Sequence, residues 1–178
     1  MKMKLYAIVL CIVLAFSMAV PAFAAGNEPV IPPEPEDYGE PIQVTSYYDE
    51  ELGVTVTERT YFVPDQPEIS LLAEGGSGWF KKEAIFPWEG DPDTIFYAQG
   101  YFTWGNGDVS VSSPSVGYDQ IPRRCTLVSS NESHGTGRYA GIFNKYAYVT
   151  HTLTIKNMLN DPRTITVTCR VSESGNLI

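Results

Sequence analysis

The sequence has little basic charge, little sulfur and almost no histidine. Twelve Lys and Arg stand against 21 Asp and Glu, for a formal net charge of −9 over 178 residues. Nucleic-acid binding replaces phosphate counterions with protein cations, and no Lys/Arg cluster is present to do so. Adherence to an anionic membrane surface is disfavoured for the same reason. With three cysteines and two histidines, there is no CxxC pair and no HExxH helix. There is also no GxSxG elbow and no phosphate-binding glycine loop. No cofactor is expected. Hydrophobic residues nevertheless make up 43% of the chain, enough to build a core. That balance excludes a disordered tail, a collagen-like chain and a coiled coil.

One long apolar run exists, at the start. Lys2 and Lys4 precede Leu5 to Val20, and Pro21 and Ala22-Phe23-Ala24 follow. A basic start, a short apolar stretch and a small-x-small site read as a secretory signal peptide over 1–24. The alternative is a membrane anchor, but the run is short for a full span. Cleavage removes two lysines and no acid, so the net charge moves from −9 to −11. The mature chain is then expected to be secreted, with no membrane span. Residues 25–40 hold four prolines, five acids and no base. Such a stretch cannot bury enough apolar surface to offset its ordering entropy, so a disordered acidic leader is expected.

From residue 41 to 178 the signals are those of one β domain. Ile42 to Tyr48 and Val54 to Val63, joined by Asp49 to Gly53, read as a hairpin. Glu74 to Gly78 reads as a flexible connection, with Glu68 to Leu72 too short to assign. Trp79 to Trp88 and Ile95 to Trp104 follow as strands, then Asn106-Gly107, a strong hairpin turn signal, before Val109 to Ser112. Arg124 to Ser129, Arg138 to Phe143, Tyr146 to Lys156 and Arg163 to Val171 complete the set. Asn131 to Gly137 reads as a polar, glycine-rich loop. About eight or nine short strands with frequent turns and no amphipathic helix predict an all-β fold. A single antiparallel β-sandwich or barrel-like domain is expected.

Cys125 shares a phase with Leu127, and Cys169 shares one with Ile165, Val167 and Val171. In an oxidising compartment two inward cysteines predict a disulfide. It would close a loop of about 45 residues, worth roughly 4 kcal/mol. The alternative is two buried free thiols acting as small hydrophobes. His151 shares a phase with Val149, Leu153 and Ile155 and is expected in the core. His134 falls in the polar loop. Glu89, Asp91 and Asp93 alternate through a turn and are weak candidates for Ca²⁺, with a solvated turn as the plainer reading. Asn131-Glu132-Ser133 matches a glycosylation acceptor of a eukaryotic secretory pathway.

Aromatics are plentiful: 11 Tyr, 8 Phe and 3 Trp. Tyr97 and Tyr101 alternate with the apolar face of one strand, and Tyr146 and Tyr148 with that of another. If those strands are neighbours, the four tyrosines form an exposed strip. Tyrosine presents rigid amphipathic area at low entropy cost, which suits protein or sugar recognition. Ordinary cross-strand Tyr and Thr pairs are the plainer alternative.

The chain from Phe80 to Ile178 resembles a group of small secreted proteins of Gram-positive bacteria. The resemblance rests on Gly100-Tyr101-Phe102-Thr103-Trp104, Gly107, Val109-Ser110-Val111-Ser112, Thr164-Ile165-Thr166-Val167-Thr168-Cys169 and Gly175-Asn176. It implies a secreted all-β domain and carries no catalytic residue. A non-enzymatic binding protein for an extracellular glycan or protein is the leading expectation. A secreted hydrolase using a carboxylate pair on loops is the alternative. Intact mass of the exported protein should correspond to a chain beginning at Ala25, and retention of residues 1–24 would refute the processing site.

Overall fold

The computed structural model describes residues 31–65, 75–139, 144–157, 159 and 161–178. The expected signal peptide, residues 25–30 of the expected leader, Glu68 to Leu72 and most of the expected strand Arg138 to Phe143 lie outside the described residues. A 3-10 turn, Pro35–Tyr38, precedes eight strands. They are β1 (Gln43–Asp49), β2 (Val54–Pro64), β3 (Gly75–Trp88) and β4 (Asp91–Gly105). Then come β5 (Asp108–Tyr118), β6 (Cys125–Arg138), β7 (Lys145–Asn157) and β8 (Pro162–Ser172). They form two antiparallel sheets, in the orders β1-β2-β3-β4-β5 and β6-β7-β8. Neither sheet closes on itself. No helix of the described residues is long and apolar enough to cross a membrane.

Local chemistry sets the hairpins. Asp49 Oδ1 accepts from the amides of Glu51 and Leu52, each at 3.0 Å, and Gly53 takes φ 69° to close the β1–β2 turn. Gly105 stands opposite Asp108, so Asn106 and Gly107 alone make the β4–β5 turn, with φ of 54° and 70°. Two successive positive φ values match the right-handed twist of the flanking strands, which is why Asn-Gly serves there.

One face of each sheet builds a common core. Val56, Phe80, Phe96, Ala98 and Phe102 come from the five-stranded sheet. Ala147, Val149, Leu153, Val167, Cys169 and Val171 come from the other, and all of these are fully buried. The packing is tight at Gly100, where a Cβ would meet Val111 of the same sheet at 2.8 Å and Val149 of the other at 2.9 Å.

Three expectations need correction. The acidic leader is not disordered where it is described. Tyr38 is only 6% exposed and its hydroxyl donates to Gln99 Oε1 at 3.2 Å, because the Pro35 turn brings it back onto the five-stranded sheet. Gly75 to Gly78 is not a loose connection but the start of β3, paired with Phe102 to Gly105. Asn131 to Gly137 is not a loop. These residues pair one by one with β7, from Asn131 opposite Thr152 to Gly137 opposite Tyr146.

The Cys125–Cys169 disulfide is also absent: both are free thiols. Both do face the core, as their phases require. However, Cys125 stands opposite Asn157 and Cys169 opposite Val149, so their partners are eight residues apart on β7. At ~3.3 Å per residue that is about 26 Å, whereas a disulfide needs Cα atoms within about 7 Å. Burial pushes the Cys169 thiol up to about 12. Intact mass should therefore not change on reduction. In folded residues 25–178, a maleimide should modify Cys125 and spare Cys169 until the protein is denatured. A 2 Da gain on reduction would contradict this.

Candidate functional site

The tyrosines predicted to form one strip are divided between the two sheets. Tyr97 and Tyr101 lie on β4, and Tyr146 and Tyr148 on β7, each on the face turned away from the common core. The strands are not neighbours, so the single four-tyrosine strip does not exist. Strand order was the condition for it, and strand order is a tertiary property.

On the five-stranded sheet, Tyr97 and Tyr101 belong to a covered cluster. Lys81 lies at its centre, 2.7 Å from Glu83 and 4.9–5.9 Å from the ring centroids of Tyr97, Tyr38 and Tyr61. A cation over aromatic faces is attracted by their quadrupoles. Tyr61 donates to Glu83 at 3.1 Å, and Tyr101 donates to Asp65. Trp79, edge-on to Tyr101, is 4% exposed. Tyr38 closes the cluster, and burial pushes its phenol well above the ordinary value. The rings around Lys81 are therefore partly covered.

The three-stranded sheet is different. Gly135 stands opposite Tyr148 and Gly137 opposite Tyr146. The Tyr146 ring lies directly over Gly137, where an added Cβ would meet its Cζ at 2.4 Å. Tyr148 lies over Gly135 in the same way, at 3.5–3.7 Å. Tyr139 joins Tyr146 at 5.2 Å, Tyr146 and Tyr148 are 6.1 Å apart, and Arg170 sits 4.7 Å over Tyr146. Rings packed over glycines cover backbone that has no side chain of its own. Sequence reading missed Tyr139 and Arg170. The two-residue spacing shared by Gly135/Gly137 and Tyr146/Tyr148 was the signal for the rest.

A third cluster lies on the core-facing side of β6. Leu127 pairs with Ile155 but Ser129 with Thr154, so Val128 is an extra residue in a bulge. The bulge turns Ser130, Glu132 and His134 onto the same face as Leu127. Here the three-stranded sheet overhangs its partner, and all three side chains are exposed. His134 Nδ1 is 3.1 Å from Glu132 Oε1. His151, on β7, is fully buried, with Phe96 edge-on at 5.8 Å. Its Nδ1 is 3.2 Å from the carbonyl oxygen of Tyr97, and its Nε2 is 2.8 Å from Ser130 Oγ. Burial holds its pKa below the ordinary 6.5, opposed by the backbone carbonyls of Tyr97 and Gly117 and by the charge of Glu132.

Glu89 lies in the β3–β4 turn, with Asp91 and Asp93 on β4. Among the described residues no group of three or more His, Cys, Asp or Glu side chains is assembled for a metal ion. No family model, curated protein or solved structure matches the chain.

Neutral His151 sets a pH dependence. The unfolded chain binds a proton at about pH 6.5 and the folded protein does so only at lower pH. Stability contributed by this group is therefore intact above about 6.5 and lost as the pH falls from there toward the folded pKa. Melting temperatures of wild type and His151→Gln, compared from about pH 8 to 5, should converge as the pH drops. Parallel curves would show that His151 does not titrate as described.

Proposed function

We propose that the protein is a secreted β-sandwich that acts by recognition, binding an extracellular glycan through the outer face of its three-stranded sheet. The observation that carries this reading is the pair of tyrosine rings laid over Gly135 and Gly137. Tyr139 extends the row and Arg170 adds a cation beside it. Rings held against a sheet present an apolar surface edged by hydroxyls, which matches a sugar ring with one apolar face and polar rims. The surface is rigid before binding, so little ordering entropy is lost on contact. The apolar N-terminal run and the acidic leader support export.

Co-sedimentation with cell-wall and host polysaccharides tests this. Saturable binding is expected for wild type. Removing both rings in Tyr146→Ala/Tyr148→Ala should weaken it by roughly 10- to 100-fold, from about 0.5–1.5 kcal/mol per aromatic contact. Tyr97→Phe/Tyr101→Phe, on the opposite sheet, should bind as wild type. Equal binding by the Ala variant, with its melting temperature retained, would remove this face from consideration.

A further inference from the structure

We propose that Ser130 is an activated nucleophile, with His151 as its general base and the Tyr97 carbonyl as the group that orients the base, and that the site cleaves acyl esters. This goes beyond recognition, since it gives the inner face of β6 a chemistry that the outer tyrosine face lacks.

The direction of the hydrogen bonds follows from what each group can do. A backbone carbonyl only accepts, so His151 Nδ1, at 3.2 Å from the Tyr97 oxygen, carries the proton. Nε2 of a neutral imidazole then holds the lone pair. It faces Ser130 Oγ at 2.8 Å, so the serine hydroxyl is the donor. Nucleophile, base and orienting acceptor in series are the arrangement that activates a hydroxyl. Here a carbonyl from the other sheet takes the place of a carboxylate. The base is buried while Ser130 is an exposed residue. In the resting site the serine hydroxyl therefore holds the Nε2 lone pair in place of water, and only a molecule standing where that hydroxyl stood can reach Nε2.

The strand supplies a second element. β6 pairs only with β7, so alternate backbone N–H groups of β6 point away from the sheet. Whichever phase applies at Ser130, an outward amide lies on it or on a neighbouring residue, where an oxyanion can be bound. Ser130 is exposed on the strand surface, which favours an ester carried on the surface of a larger molecule.

The reaction balances on these groups. Ser130 Oγ attacks the ester carbonyl carbon as its proton passes to His151 Nε2. The carbon–alkoxy bond breaks, the leaving alcohol takes that proton, and Ser130 holds the acyl group. Water then gives a proton to Nε2 and attacks the acyl carbon. The carboxylic acid leaves and the proton returns to Oγ. The transient imidazolium is stabilised by the Tyr97 and Gly117 carbonyls and by Glu132 of β6. Glu132 is a titratable group whose charge favours protonated His151, and His134 Nδ1 stands 3.1 Å from it.

The test is covalent labelling of the full chain with a fluorophosphonate, mapped by peptide mass spectrometry, alongside hydrolysis of p-nitrophenyl acetate. Ser130 is expected to be the labelled residue, and Ser130→Ala should abolish both signals. His151→Gln should slow both on the order of 100-fold, the scale of a positioned base. Because His151 is a core residue, its variant can fail to fold, so the wild-type pH profile serves as the second measurement. Labelling should rise through a single inflection below about pH 6.5 and then level off, as expected for a buried neutral imidazole. The proposal is overturned by no labelling, by labels scattered over surface hydroxyls, by an equal rate in folded His151→Gln, or by a rate that simply follows hydroxide.

Discussion

Each pleated strand has two faces, and here one face of each sheet is buried against the other. The rest of the molecule follows from that mutual burial. Phe80, Phe96 and Phe102 meet Val149, Leu153 and Val167 in one core, and Gly100 lets the backbones approach where a side chain would not fit. A residue's role then depends on its register. One position of slippage moves a whole strand's side chains to the opposite face. The bulge at Val128 is such a shift by design, and without it Ser130 would not meet His151.

The sheets are unequal, five strands against three, and the mismatch leaves edges that the core does not use. On one side, Gln43, Thr60, Lys82, Thr168 and Arg170 line a cleft of about 100 Å³. On the other, the core-facing side of β6 carries Ser130, Glu132, His134, Thr136 and Arg138 in place of apolar side chains. The stretch from Ser129 to Arg138, which reads as hydrophilic, is thus still a ladder member. Its inner face overhangs into solvent and its outer glycines are roofed by tyrosines. The same strand contributes to both proposed activities, recognition on the outer face and acyl transfer on the inner.

Buried polar groups stand at the points where the sheets meet. His151 satisfies both ring nitrogens, one within its own sheet and one across to the other. A fully bonded group of this kind specifies alignment of the two sheets, because a displaced neighbour would leave a desolvated nitrogen unpaired. Tyr38 works similarly on the outer surface, tying the end of the acidic leader to Gln99 and the Lys81 cluster.

Local signals were legible in the sequence wherever they depend on neighbours along the chain. The Asn106-Gly107 turn, the Asp49 to Gly53 turn, the alternation of β4 and β8, and the inward phase of His151, Cys125 and Cys169 were all read from residue type and spacing. What the sequence could not reveal were distances between strands far apart in the chain. It placed both cysteines toward the core but not at opposite ends of β7. It placed four tyrosines outward but not on two different sheets. It read Asn131 to Gly137 as a loop, because a strand lacking apolar residues shows no periodicity until its partner's rings cover it. The side-chain period tells which way a residue points. Only the order and register of the sheets, set by long-range burial, decide what it meets there.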